Sequence, residues 1–188
     1  MVNPATNLNS VDLQKKWNID VAHTNITFTV SHMVISEVTG NFKEFEGTVV
    51  STKDDFSDAQ IEVSINAKSI NTESNDRDNH LRSADFFDAE NHPVLTFKSG
   101  MIEAKGNGTL VISGDLNLRG ISKPIVLDAQ FKGQAVNPWG QIVAAFKAST
   151  TINRKSWGLS WNAALEAGGF LVGEEIKLNL NIELNQAK

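Results

Sequence analysis

The chain has 188 residues, no cysteine, and a formal net charge of −5 with acidic and basic side chains interspersed. This length supports one domain with a sizeable core, and the charge pattern lacks the basic stripe that nucleic acid requires of a partner. Without cysteine there are no disulfides, cysteine zinc sites or thiol nucleophiles.

Residues 1–15 are polar and unpatterned and read as a flexible N-terminal arm, leaving 16–188 as a single domain. The start lacks the apolar core of a secretory signal, and no run approaches the roughly 18 apolar residues of a membrane-spanning helix, so no transmembrane segment is expected. Localisation stays open between the cytoplasm and an exported protein whose signal has been removed.

Period-2 alternation begins after Trp17. Ile26, Phe28 and Val30 alternate with Thr27, Thr29 and Ser31, the pattern of a strand with one buried face, and the next inward position is His32. Over 38–50 the apolar parity switches between Phe42 and Phe45, which predicts a β-bulge near Lys43 and Glu44. Ile61, Val63, Ile65 and Ala67 form the next row. Residues 71–87, NTESNDRDNHLRSADFF, break the alternation: Ser74 or Asn75 suits the cap of a short helix carrying Arg77, Leu81 and Ala84, and Ser83 suits the cap of a further turn. Alternation then resumes over 94–99 and through Leu110, Ile112, Gly114, Leu116 and Leu118. It continues through Ile125, Leu127, Ala129 and Phe131, through Ile142, Ala144, Phe146 and Ala148, and through Leu178, Leu180, Ile182 and Leu184. Turn signals such as KDDFSD, AKGNG, RGISKP, NPWG and EAGG separate these runs.

About eight antiparallel strands with short connections fit a sandwich or a barrel, and closure into a barrel is favoured because it removes exposed edges. The fold class is therefore all-β, with one or two short helices inserted around 74–87. An eight-stranded barrel is either just filled by its side chains or just wide enough for one small ligand. The small inward residues Gly114, Ala129, Ala144 and Ala148 tilt this toward a cavity. Parity nominates Phe28, Val30, Val63, Ile65, Phe97, Leu116, Leu118, Leu127, Phe131 and Phe146 as its lining.

His32 admits three roles: a buried imidazole satisfied by a neighbour, a polar contact for the end of a mostly apolar ligand, or a catalytic or metal-binding group. The histidines at 23, 32, 80 and 92 form no HxH or HxxxH pair, so no metal site is expected. His80 with Asp78 and Asp85 supplies the raw material of an acid–base pair, yet no nucleophile motif accompanies it. Holding the helix onto strand ends is the favoured role for Arg77, Asp78 and His80. Arg119 and Lys123 in RGISKP could attract an anionic head if that turn lies at the open mouth. The aromatic group Phe86, Phe87, Trp139, Trp157 and Trp161 divides between core plugging and lining an entrance.

Four blocks carry a family resemblance: WNIDVAHTNITFTVSHMVISEVTGNFKEFEG at 17–47, SINTESNDRDNHLRSADFFDAENHPVLTFKS at 69–99, LNLRGISKPIVLDAQFKG at 116–133 and INRKSWGLSWN at 152–162. Together they resemble the YceI-like family, lipocalin-like proteins that bind polyisoprenoids and other long-chain lipids. The resemblance implies an eight-stranded antiparallel lipocalin-like barrel with a lipid chain in its pore, and periplasmic export for many relatives. Trp157 stands where relatives often have phenylalanine, and it joins His32 and the ten residues above as a ligand-binding candidate.

The expected function is to sequester or carry a long apolar molecule such as a polyisoprenoid, an isoprenoid quinone or another long-chain lipid. No catalytic residue and no cofactor other than the bound lipid is expected, and homodimerisation is left open. Two alternatives remain: an enzyme acting on a small hydrophobic substrate with His32 or His80 as general base, and a stress or interaction protein whose barrel is packed shut.

Overall fold

The computed structural model describes residues 14–166 and 168–187. The expected N-terminal arm lies outside the described residues except at its end, where Lys15 already opens the first strand.

The elements in order are β1 (Lys15–Ile19), β2 (Asn25–His32), β3 (Ser36–Phe42), β4 (Phe45–Ser51), β5 (Gln60–Asn66), β6 (Ile70–Asn71), helix α1 (Asn75–Arg82), β7 (Val94–Gly106), β8 (Thr109–Leu118), β9 (Ile121–Val136), β10 (Ile142–Asn153) and β11 (Val172–Gln186). Every pairing between them is antiparallel. The sheet closes on itself through β1–β4–β5–β7–β8–β9–β10–β11 and back to β1. The result is an eight-stranded barrel with one α-helix. Closure gives every strand except the two-residue β6 two neighbours, which is why the barrel presents no long aggregation-prone edge.

Eleven strand segments make eight staves because three staves are broken, β5 and β6 forming one of them. β11 pairs with β2 over Ile176–Asn181 and with β1 over Leu184–Gln186, so β1 and β2 together form one stave. β3 and β4 likewise follow one another, β3 alongside β2 and β6, β4 alongside β1 and β5. The parity switch between Phe42 and Phe45 is the join between these halves. It is a break rather than a bulge: the backbone N–H of Lys43 donates to Ser69 O (3.1 Å) and Glu44 O accepts from Asn66 N (2.9 Å), both in the segment that turns from β5 into β6.

Helix α1 forms where alternation fails. Ser74 precedes it in extended conformation, Asp76 and Asp78 lie in the first turn, and His80 and Arg82 lie in the last, a distribution that complements the helix dipole. The expected second helical turn after Ser83 is a series of tight turns instead. Side chains fix α1 to β6. The buried Asp78 carboxylate accepts from Thr72 N (2.8 Å) and Thr72 Oγ1 (2.6 Å). Arg77 donates to Thr72 Oγ1 and to the Thr72 carbonyl, and Arg82 donates to the carbonyls of Lys68 and Ile70.

The turns fall at two ends of the barrel. One end carries the β4–β5 loop, the β7–β8 turn and the β9–β10 turn; the other carries the β2–β3 turn, α1, the β8–β9 turn and the long connection from β10 to β11. Contacts agree with this placement: Gln134 donates to Asp54 O at the first end, while Arg119 donates to Ala84 O and Gly158 O at the second.

Candidate functional site

The inward rows of the staves enclose a cavity. Its volume is ≈ 240 Å³, just below the roughly 300–1,000 Å³ of small-molecule pockets. It runs along the barrel: its wall extends on β11 from Val172 to Leu184, and on β1 and β2 from Ile19 to Val30. Of the wall side chains only Thr24 and Arg154 are polar, among the described residues. The Thr24 hydroxyl is satisfied between Glu183 O (3.3 Å) and Glu183 N (3.0 Å).

Nine of the twelve residues nominated from the sequence stand on this wall: Phe28, Val30, Val63, Ile65, Phe97, Leu116, Leu118, Leu127 and Phe146. Three do not. Phe131 stacks on Phe146 at 5.0 Å and packs against Phe56 at 5.4 Å, outside the wall. It keeps the inward face, pairing with Phe146 as Ala129 pairs with Ala148, and sits at the first end beside Phe56; the β9 bulge comes only after it, at Lys132. Ile142, expected inward, is exposed although Ala144 on the same face is fully buried, because Ile142 is the first residue of β10, at the rim. Trp157 is buried at 3 % exposure and donates its indole N–H to Leu116 O at 3.0 Å, so it braces β8 from the β10–β11 connection.

His32 is the third. It is the last residue of β2, paired with Ser36 across the β2–β3 turn, and its Nδ1 lies 3.5 Å from Ser36 Oγ. The apolar row ends at Val30, and His32 stands past it. The inward glycine also needs correction: a Cβ on Gly114 would sit 2.5 Å from Lys98 O and 2.6 Å from Phe97 Cζ. Gly114 therefore makes room for the Phe97 ring rather than for a ligand. Ala129 and Ala148, which face one another across β9 and β10, do border the cavity.

An unforeseen plug stands at the first end. The KDDFSD turn brings Phe56 inward with φ +59°, leaving it 2 % exposed against Trp17, Phe131 and Phe146 at 4.9–5.4 Å. Asp58 anchors this loop. Its carboxylate accepts from Ser51 Oγ (2.5 Å), from the Thr52 hydroxyl, and from the backbone N–H groups of Thr52 (3.0 Å) and Lys53 (3.2 Å). Burial pushes the Asp58 carboxyl upward, but these bonds outweigh it and hold the group well below the ordinary carboxylate range.

At the second end Phe86 and Phe87 of the α1–β7 segment reach the wall, together with Leu159 of the β10–β11 connection. His80 lies edge-on to Phe86 and Trp161 and bonds Asp85 at 2.9 Å. Arg119 is spent on two carbonyls, whereas Lys123 is exposed on β9. Trp139, at 81 % exposure, is far from any entrance at this end.

Arg154 escaped sequence reading because INRKSW looks like a charged turn. It opens a 3₁₀ turn after β10, is 3 % exposed, and forms part of the cavity wall. Burial lowers its pKa, with Glu174 acting weakly in the opposite sense. A separate group, Asp20, His23 and Glu183, assembles on the surface from the β1–β2 turn and β11. Hydrogen bonding to Asp20 raises the His23 pKa.

A closed antiparallel barrel of eight strands with an internal apolar cavity is a lipocalin-like binding architecture. The chain belongs to the YceI-like family: the model of the YceI-like domain matches residues 17–184. It is 37 % identical over 171 residues to the UPF0312 protein SERP2314 of Staphylococcus epidermidis, covering 90 % of this chain and 97 % of that one. Among solved structures, the YCEI protein of Campylobacter jejuni superposes with a TM-score of 0.71 at 32 % identity, over 84 % of this chain and 90 % of that one. A polyisoprenoid binding domain from Saccharophagus degradans shares the fold, with a TM-score of 0.70 at 14 % identity over 91 % and 98 % of the two chains.

Proposed function

We propose that the protein binds and carries a long apolar molecule, an isoprenoid or comparable long-chain lipid, lengthwise in the barrel. The observation that carries this reading is the cavity itself: an elongated space walled by aliphatic and aromatic side chains from all eight staves. Water gains few hydrogen bonds there, so the space favours an apolar occupant. A chain that removes about 400 Å² of apolar surface from water gains on the order of 10 kcal/mol, less the cost of ordering it. The Saccharophagus domain, whose name records polyisoprenoid binding, supports an isoprenoid as the occupant. The packed-shut alternative is disfavoured by the same cavity.

Protein stripped of lipid by refolding should take up geranylgeraniol with one-to-one stoichiometry, read by intrinsic tryptophan fluorescence. Native mass spectrometry of protein purified without refolding should show a long-chain lipid released by organic extraction. Ligand-free protein that takes up neither geranylgeraniol nor an isoprenoid quinone would reject the reading.

A further inference from the structure

The α1 end of the barrel carries an apolar surface that the cavity does not use. The β2–β3 turn consists of Met33, Val34 and Ile35, and Val34 and Ile35 are 72 % and 86 % exposed. Beside it lies the turn that leads the β10–β11 connection into β11, closed by the Ala164–Phe170 bridge, with Phe170 at 57 % exposure. The two turns touch: Met33 N donates to Leu171 O at 2.9 Å, and a Cβ on Gly169 would lie 3.5 Å from Val34 Cγ2. Together they form one continuous apolar tip.

The backbone of this tip has two notable properties. Met33 and Val34 both take positive φ, +53° and +68°, a conformation that turns normally give to asparagine or glycine and that a β-branched residue resists. Aliphatic side chains are thus held at the tip against local preference, as happens where a surface has a use. The N–H groups of Met33, Leu165, Gly168 and Leu171 are all bonded within the two turns, and those of Ala163 and Val172 donate to Asn162 Oδ1. The tip therefore presents hydrocarbon over backbone donors that are already satisfied, the condition for entering a medium without water.

Position links the tip to the lumen. Val30 and Val172 stand on the cavity wall, and Val172 pairs with His32, the residue directly before the turn. The opposite end is shut by the buried rings of Trp17 and Phe56. We propose that the tip is a membrane-docking surface: it enters the outer layer of a lipid bilayer and sets this end of the barrel against it, so that the apolar ligand passes between bilayer and lumen without crossing bulk water. This rests on the lipid-carrier reading and adds to it a partner and the end at which exchange occurs. Met33, Val34, Ile35 and Phe170 leave on the order of 500 Å² in water, near the top of the range for the largest apolar patch of a monomer and below the ~800 Å² that each partner gives to a standard dimer. Charge is not the attraction. The two turns carry one charged residue, Glu166, and Lys155 and Lys177 are paired with Glu174 and Glu37. Binding follows apolar insertion and suits a zwitterionic bilayer.

Lipid-stripped wild-type protein should float with phosphatidylcholine vesicles equally well at about 0.1 and 1 M sodium chloride, and phosphatidylglycerol should not improve it. The triple variant Val34→Asn, Ile35→Ser, Phe170→Ser should float at least tenfold less. Its melting temperature should stay at or above that of wild type, since asparagine accepts the left-handed conformation. Its Kd for geranylgeraniol should stay within twofold, because none of the three residues lines the cavity. Transfer of geranylgeraniol from wild type to vesicles should speed up in proportion to vesicle concentration; in the variant it should be tenfold or more slower and independent of that concentration. Trp139→Ser, in the exposed turn at the opposite end, is the control and should change neither reading. Three results would overturn the docking surface and leave the carrier reading standing: wild type that binds geranylgeraniol but neither floats nor transfers it faster with more vesicles, self-association lost in the triple variant in place of flotation, or flotation lost in Trp139→Ser. Protein that floats but takes up no apolar ligand would instead reject the carrier reading and leave the tip as a bilayer-binding surface.

Discussion

Replacing Ala148 by leucine should raise stability and lower lipid affinity at once, an outcome that only a ligand-holding void produces. Ala148 faces Ala129 on β9 and Leu180 on β11, and all three border the cavity. Three added carbons occupy on the order of 80 Å³, and filling empty core space returns up to about 24 cal/mol per Å³, hence at most ~2 kcal/mol. Local crowding takes back part of this, so the lipid-stripped variant should be up to about 1 kcal/mol more stable than wild type in urea unfolding. The same three carbons exclude an equal length of ligand chain. At ~0.8 kcal/mol per buried methylene, binding should weaken by about 2.4 kcal/mol, roughly fiftyfold in Kd. Geranylgeraniol titration followed by tryptophan fluorescence measures the second quantity. The adjacent Lys147 is exposed and points outward, so Lys147→Leu is the control and should leave affinity unchanged. Unaltered affinity in Ala148→Leu, or an equal loss in Lys147→Leu, would refute the placement of the ligand in the lumen.

Other perturbations test the wall and its ends. Leu116→Asp places a carboxylate on the buried wall and should unfold the barrel or abolish lipid uptake, whereas Asn117→Asp on the opposite face should change stability by less than about 0.5 kcal/mol in the same urea titration. Gly114→Ala should cost about 1–3 kcal/mol, because its Cβ would overlap both Lys98 O and the Phe97 ring. Trp157→Phe removes the indole donor to Leu116 O while keeping an aromatic plug, and thermal melts should show a loss of about 1 kcal/mol. The Asp58 anchor has a depressed pKa in the folded state. Its contribution is therefore present above the unfolded value of roughly 3.9 and is lost as pH falls below it. Melting temperatures of wild type and Asp58→Asn should differ at pH 7 and converge as the pH drops below about 4; a constant difference would remove Asp58 from the acid response.

How much of this was legible follows from the range of the signals. A strand's inside and outside are decided every two residues, so rows such as Ile61, Val63 and Ile65 or Leu178, Leu180 and Ile182 declared their buried face in the sequence, and all of them line the cavity. The same rule gave Phe131 its inward face but not its place beside the Phe56 plug, and it put Ile142 inward where it is exposed, because alternation fixes a face and not whether a residue has reached the rim. It also led past the end of its own row at His32, since alternation does not say where a strand stops facing the lumen.

The ends of the barrel were the illegible part, and they are where a ligand's fate is decided. Phe56 reads as an ordinary turn residue in KDDFSD, yet it closes one end because Ser51, Thr52 and Lys53 converge on Asp58 and draw the loop inward. Arg154 reads as a solvated charge in INRKSW, yet it is buried because carbonyls from the far side of the β10–β11 connection come back to meet it. Both depend on contacts between segments whose separation in sequence carries no period. Fold and wall can thus persist through many sequence changes that preserve alternation, while ligand choice turns on a few residues at the ends. On this argument, swapping the 154–172 connection between two relatives should move head-group preference without altering chain-length preference, and swapping residues 52–59 should do the reverse, both read from Kd values for chain-matched and head-matched lipid series.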